Sequence, residues 1–373
     1  MNGGSVQSIG TPALWVAFTA VVTVVLVADL YVGSKKTEPM SRRAALGWTS
    51  LWVSLACAFG AGIWLVIDHD RSREAAMEFF TAYIIEYSLS VDNLFVFLLL
   101  FSSFKVPQAW QHRVLFWGIF GAVILRAIFI FAGTALLQRF HFLIYLFGAF
   151  LLYTGVKLVF GGEDEEEVEV SENRIVRFAR RFVPVTDHYD GHRFVTVVDG
   201  VKKATPLLLV LVAVELSDVV FALDSIPAVF GVSLDPFIVY TSNIFAILGL
   251  RSLYFLLAGA LFGLRFLKPS LGIVLAFVGA KMCLPLVHWL AAKAGQADAV
   301  SWLPEHVPTP VSLGVVGGFL VGGVALSMLF PGKKPEGVEA AEEIKEDILE
   351  AVTGEPQPHE PPSGVPPGAA GPG

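Results

Sequence analysis

Charge and cysteine are what this chain has least of. Asp, Glu, Lys and Arg make up 16% of its 373 residues, against about 25% in a soluble chain, so an ordinary soluble domain is excluded. The two cysteines, Cys57 and Cys283, each sit alone in an apolar run. That removes a disulfide scaffold, a structural zinc site and a Cys-x-x-Cys thiol pair. Positive charge is also short, with 26 Lys+Arg against 33 Asp+Glu, which speaks against a nucleic-acid partner. No G-x-x-x-x-G-K-[ST] run is present to cradle a nucleotide, and no organic cofactor is implied. Met1–Thr11, a short external N-terminus, carries no basic residue, which argues against a cleaved signal peptide.

What is abundant is apolar sequence, 55% of the chain, and it comes in runs. About 20 apolar residues cross a bilayer core of about 30 Å. Nine stretches qualify: Pro12–Val32, Ala45–Ile67, Ala75–Phe104, Val114–Leu137, Phe142–Phe160, Ala204–Val232, Phe237–Phe262, Pro269–Leu290 and Pro310–Phe330. The chain therefore reads as an all-α membrane protein of nine transmembrane helices over residues 12–330, with the lipid bilayer as its first partner. Nineteen Lys/Arg collect on one side of this topology and four on the other, with Arg126, Arg251 and Lys281 inside spans. The positive-inside rule then places the N-terminus outside and the C-terminus in the cytoplasm. Residues 161–203 form a cytoplasmic loop opening on an acidic run at Glu163–Glu167, a solvated face. In its second half Asp190-Gly191 and Asp199-Gly200 flank an alternating run, the pattern of a small β-hairpin. Residues 331–373, acidic and then Pro/Gly-rich, are expected to be disordered.

The third and sixth spans repeat one another. Glu86-Tyr-Ser-Leu-Ser-Val-Asp92-Asn93 matches Asp218-Val-Val-Phe-Ala-Leu-Asp224-Ser225. Downstream, Gly118-Ile-Phe and Leu125-Arg126 match Asn243-Ile-Phe and Leu250-Arg251, and Gly155-Val-Lys157 matches Gly279-Ala-Lys281. Repeat 1 covers about residues 75–160 and repeat 2 about 204–290. Each unit holds three helices, an odd number, so the copies cross the membrane in opposite senses. Inverted repeats are a common transporter plan, with the site at their interface near the midplane.

Five carboxylates lie deep in these two spans: Glu86, Asp92, Glu215, Asp218 and Asp224. An aspartate at a helix centre costs roughly 2.5–3.5 kcal/mol on insertion, so five must face the bundle interior and meet positive charge. Arg126, Arg251 and Lys281 are the available charge partners. Pairing that merely ties helices together is one reading. A cation site is the other, and five acids less three bases leave a deficit that one divalent ion or protonation would fill. Helical spacing puts Glu86, Ser90 and Asn93 on one stripe and Glu215, Asp218 and Ser225 on another. Asp92 and Asp224 each fall about 120° off. Either straight helices present acids to two neighbours, or a local break gathers them. The carbonyl freed by Pro227 favours a break in the sixth span and leaves the third open. The donors are all oxygen, with Asn93, Asn243, Ser90 and Ser225 as auxiliary groups, which suits Mg, Ca or Mn. Asp29, near the inner end of the first span, is either a ligand on the way in or a snorkelling residue. The Asp187, His188, Asp190 and His192 group reads better as a polar hairpin than as a metal site.

Glu86-Tyr-Ser-Leu-Ser-Val-Asp-Asn-Leu-Phe-Val, Glu215-Leu-Ser-Asp-Val-Val-Phe-Ala-Leu-Asp-Ser-Ile-Pro-Ala and the loop motif Pro184-Val-Thr-Asp-His-Tyr-Asp-Gly resemble the TerC family, in its Alx-type branch. The resemblance covers about residues 10–330. It implies membership of the LysE transporter superfamily, a link to tellurite resistance, and, for Alx-type members, manganese export. Some members are linked to supplying manganese to exported metalloenzymes. From the resemblance, not from spacing, come Mn²⁺ as the transported ion, the outward direction and a bacterial cytoplasmic membrane. The expected function is divalent-metal export by alternating access, with energy from an ion gradient such as protons. Membrane scaffolding or an accessory role in metal resistance is the alternative. No enzyme is expected, because an intramembrane aspartyl protease needs a Gly-x-Gly-Asp signature that this chain lacks.

Overall fold

The computed structural model describes residues 8–34, 41–66, 71–160, 185–257 apart from 187 and 199, and 265–330; the side chains of 26–34, Asp92 and Phe95 lie outside the described set. The acidic run of the loop and the tail from 331 also lie outside it.

The described residues are helical almost throughout. Its helices are α1 (Pro12–Ser34), α2 (Arg42–Val66), α3 (Ser72–Ser103), α4 (Gln108–Arg139), α5 (Leu143–Phe160), α6 (Pro206–Phe230), α7 (Pro236–Leu248), α8 (Leu250–Leu257), α9 (Leu267–Lys293) and α10 (Thr309–Leu329). Among the described residues, eight helical spans are long and apolar enough to cross a membrane, counting α7 and α8 as one span over Pro236–Leu256. The apolar α1 brings the total to eight or nine.

Local chemistry sets the helix ends. Asp235 accepts a hydrogen bond from the Phe237 backbone N–H at 2.9 Å and Pro236 follows it, so the α7 start is capped and preset. α6 likewise begins on a proline. α3 ends on Lys105, whose φ of 50° is left-handed. The N–H of Val106 then reaches back to the Phe101 carbonyl at 2.8 Å, as a Schellman-type stop requires.

One expectation is corrected. The sixth span is unbroken, because Pro227 lies in the last turn of α6, where one lost hydrogen bond does not interrupt the helix. The break falls in the seventh span instead, at Gly249 between α7 and α8. α3 is continuous as well.

α3 is the centre of the bundle, packing on α2, α6, α7, α9 and α10. Its neighbour contacts come in matched pairs, α3 on α7 and α4 on α6, with α5 on α9 as the most extensive contact. That last seam is made by glycines. A Cβ at Gly155 would lie 2.5 Å from the Gly272 carbonyl oxygen, and one at Gly279 would lie 2.5 Å from that of Gly148. Each helix therefore presents two glycines seven residues apart, and they meet crosswise, backbone on backbone. α1 and α2 attach at the edge through rings, with Trp15 on Phe237 at 5.0 Å and Phe59 on Phe245 at 5.0 Å. The predicted hairpin is present as β1 (Val195–Val198) and β2 (Val201–Ala204), antiparallel with Val198 opposite Val201. Gly200, with φ of 76°, closes its turn.

Candidate functional site

The largest fully buried side chain among the described residues is Arg126 of α4, 1% exposed. Its guanidinium holds carboxylates from both motif helices. Nη1 pairs with Glu86 Oε1 on α3, while Nη2 and Nε donate to Asp218 Oδ1 and Oδ2 on α6 at 3.1 and 3.4 Å. Nη1 also donates to the Ser225 hydroxyl at 3.3 Å. Glu86 is fully buried and Asp218 is 5% exposed. Such burial is tolerable only because the planar fork of arginine meets a carboxylate edge-on and spreads its charge over both acids.

Beside this cluster lies a cavity of about 10 Å³ whose polar lining is Ser90, Asn93, Arg126 and Asp218. That is room for about one water molecule. Ser90 and Asn93 enter it from the α3 stripe that carries Glu86, as the helical spacing predicts. Several buried polar atoms nearby lack a hydrogen-bond partner among the described residues: Glu86 Oε2, Glu215 Oε2 and both amide atoms of Asn243. Asn243 is fully buried on α7. It lies one turn before Ile247 on the same helix, and Ile247 lines the cavity. Orphaned buried polar atoms are rare and costly, about 1–3 kcal/mol each.

Not every predicted residue joins the cluster. Glu215 lies over α4, where it occupies the space a Cβ at Gly121 would take. Asp224 is half-buried and is not on Arg126. α6 is thus straight, with Glu215 and Asp218 both against α4. Arg251 is half-buried two residues past the break at Gly249. Lys281, on α9, is within electrostatic reach of Glu78. The side chains of Asp92 and Asp29 lie outside the described residues, as does Asp187. Among the described residues no group of three or more His, Cys, Asp or Glu side chains converges as a metal site.

Sequence reasoning missed a second buried acid. Glu78, 6% exposed, accepts the Ser233 hydroxyl at 2.6 Å and an Arg71 Nη2–H at 3.2 Å. Its signal was available, since it lies eight residues before Glu86 on the same helix, close to the same face. It sits near the start of the apolar run, where a charge is ordinary.

The hairpin is anchored to the end of the bundle where α3 stops and α4 begins. Tyr189 donates to the Phe104 carbonyl at 2.7 Å and its ring lies 5.4 Å from that of Trp110, while Arg113 stacks over Phe194. Asp190 accepts from the Thr196 hydroxyl at 2.6 Å, which, with Arg193 at 3.4 Å, holds its carboxyl below the ordinary range.

Comparison with known proteins agrees with this architecture. The chain is 50% identical over 322 residues to the uncharacterized membrane protein STKORF319 of Myxococcus xanthus, covering 86% of this chain and 94% of that one. It is 46% identical over 319 residues to Alx of Salmonella typhi, whose name proposes a membrane-bound redox modulator, covering 84% and 93%. It is 49% identical over 279 residues to the chloroplastic thylakoid membrane protein TERC of Arabidopsis thaliana, covering 75% and 67%. No solved structure matches the chain. The family model for integral membrane protein TerC matches residues 71–334, most of the bundle and all of the site, and the chain belongs to the TerC family.

Proposed function

We propose that this protein carries a divalent cation across the membrane, with Mn²⁺ as the cargo and export from the cytosol as the direction. The observation that carries the reading is the cluster itself. Acids at equivalent positions of two sequence repeats share one buried arginine, beside a cavity and buried oxygens that have no donor. A cluster serving only to tie helices would pair every one of its oxygens. Here one oxygen of Glu86 in the cluster, and oxygens of Glu215 and Asn243 outside it, have no hydrogen-bond partner among the described residues; all are hard donors of the kind Mn²⁺, Ca²⁺ and Mg²⁺ accept. Manganese and the outward direction rest on the family resemblance.

The inverted repeat belongs to this proposal. Under an exchange of α3 with α6, α4 with α7–α8, and α5 with α9, the contact of α3 on α7 becomes that of α6 on α4, and both exist. The glycine seam obeys the same exchange, since Gly148 and Gly155 correspond to Gly272 and Gly279 and meet them crosswise. Crosswise contact of equivalent residues is what a two-fold axis requires, and such an axis in the membrane plane supports alternating access. Arg126 then stands in for the cation between transport cycles. Protons taken up by the same carboxylates are the proposed counter-flow, in a bacterial cytoplasmic membrane with the N-terminus outside.

The name given to the Alx relatives raises a redox role. Cys57, exposed on α2, and Cys283, half-buried on α9, form no disulfide, so no dithiol supports that role as a direct chemistry.

The test is flux of Mn²⁺, Ca²⁺ and Mg²⁺ by purified protein in proteoliposomes, with and without a pH gradient. The parent should move Mn²⁺ faster with a proton gradient opposing it. Asp218→Asn and Asp92→Asn, inserted normally, should fall at least about tenfold. Parent flux equal to that of empty liposomes would leave the scaffold reading in its place.

A further inference from the structure

Glu78 is buried and charged and has no part in the Arg126 cluster, yet it repeats the plan of that cluster. Glu86 of α3 reaches Ser225 of α6 through an arginine; eight residues earlier on α3, Glu78 binds Ser233, eight residues beyond Ser225, with Arg71 on its other oxygen. Eight residues span about 12 Å of α3, so α3 is tied at two levels, to α6 at the cavity and to the loop that follows α6 at the end where α3 begins.

The second rung is linked to a strap. Ser233 Oγ accepts from the Asp235 backbone N–H at 3.2 Å. The Asp235 carboxylate, fully buried, takes the Ser8 hydroxyl at 2.6 Å and the Ile9 N–H at 2.8 Å. The chain ahead of α1 is thus drawn across this end, with Ile9 4% exposed, and Gly10 so close to Phe237 that a Cβ there would sit 2.6 Å from its ring-bearing carbon. Between the rungs, at i+4 from Glu78 and i−4 from Glu86, lies Ala82, which is fully buried. Both sides of the Glu78 rung come from elements that the proposed repeat assigns to opposite halves.

We propose that the Glu78–Ser233 contact, braced by Arg71 and by the Ser8–Ile9 strap on Asp235, is the gate at this end of the bundle, and that it opens to connect the Arg126 level with the adjoining aqueous phase. The proposal rests on the carrier reading for its purpose but not for its test. Glu78 is a positioning residue here, one that holds two halves together and lets them part.

The gate is read by accessibility. Ala82→Cys is made in a Cys57→Ser, Cys283→Ser background, and a charged, membrane-impermeant thiosulfonate reagent is added to the side where α3 begins. With the gate intact, labelling is slow. Ser233→Ala removes one hydrogen bond to a charged group, worth about tenfold or more in a two-state equilibrium, and labelling should accelerate by that factor. Ser233→Thr, which keeps the hydroxyl, should restore the slow rate. Glu78→Gln should accelerate labelling as well, because the ion pair between Glu78 and Arg71 is lost. Labelling unchanged by Ser233→Ala and Glu78→Gln overturns the gate. Equal acceleration from the opposite side also overturns it, since that is general loosening. If the parent moves no Mn²⁺, the cargo reading fails while the labelling result still decides the gate.

Discussion

Replacing Arg126 with glutamine removes the one cation shared by two buried acids. Glu86 is 0% exposed and Asp218 5%, and the substitution takes away the ion pair to the first and both hydrogen bonds to the second. Breaking a buried pair from one side costs about 3–5 kcal/mol, because the remaining charge is left without compensation. Arg126→Gln should therefore lower the apparent unfolding temperature in detergent markedly. The triple variant Arg126→Gln, Glu86→Gln, Asp218→Asn should recover most of the loss, since no buried charge is left over. A non-additive coupling of this sign is what a shared cluster produces. The same variant also tests what the arginine stands in for. With the guanidinium gone, a divalent ion has two acids and no competitor, and ligand at 100 times its Kd stabilises by about 2.7 kcal/mol. Mn²⁺ should raise the unfolding temperature of Arg126→Gln more than that of the parent. If the single variant unfolds like the parent, or the triple variant is no better than the single, the electrostatic argument for the cluster is wrong. If Mn²⁺ fails to favour Arg126→Gln, the arginine is not a substitute for the ion.

Three further outcomes follow from local geometry. Gly155→Ala should destabilise by about 1–3 kcal/mol or more, since its Cβ meets backbone at 2.5 Å. Gly318→Ala on α10, with nothing within 4 Å, should be neutral or stabilise by up to about 1 kcal/mol; paired thermal melts separate the two. Lys105→Gly relieves a left-handed non-glycine residue and should stabilise by about 1 kcal/mol in the same assay, a destabilised variant being the contrary result. For Asp190, whose carboxyl is depressed in the folded state, the stabilisation is present above the unfolded value of about 3.9 and is lost as pH falls through the folded one. Thr196→Val should move that loss to higher pH, read as an upward shift of the Asp190 carboxyl titration by NMR; an unchanged titration would mean the hydroxyl is not its cause.

Much of the site was legible because a bilayer makes certain residues conspicuous. An acid or a base in an apolar run is costly enough to need a reason, so Glu86, Asp218 and Arg126 stood out before any fold was known, and the 3.6-residue period correctly set Ser90 and Asn93 on the face of Glu86. Glu78 escaped because a charge near the end of a span looks like an interfacial one, and only its partner on another helix reveals that it is buried. The break in the seventh span escaped because proline is the louder signal. Pro227 does no harm in a last turn, while Gly249 ends α7 without any local motif that demands it.

The sequence by itself determined that the chain is a bundle of membrane helices and which helices carry charge, because hydropathy and the cost of buried charge act along the chain. Tertiary structure alone decided which acids share Arg126, that Glu78 is buried against Ser233, and that α5 and α9 touch backbone to backbone through four glycines. Those are contacts between residues tens to more than a hundred positions apart, and pairing across helices depends on their rotation and depth, which helical period leaves undetermined until the helices are packed.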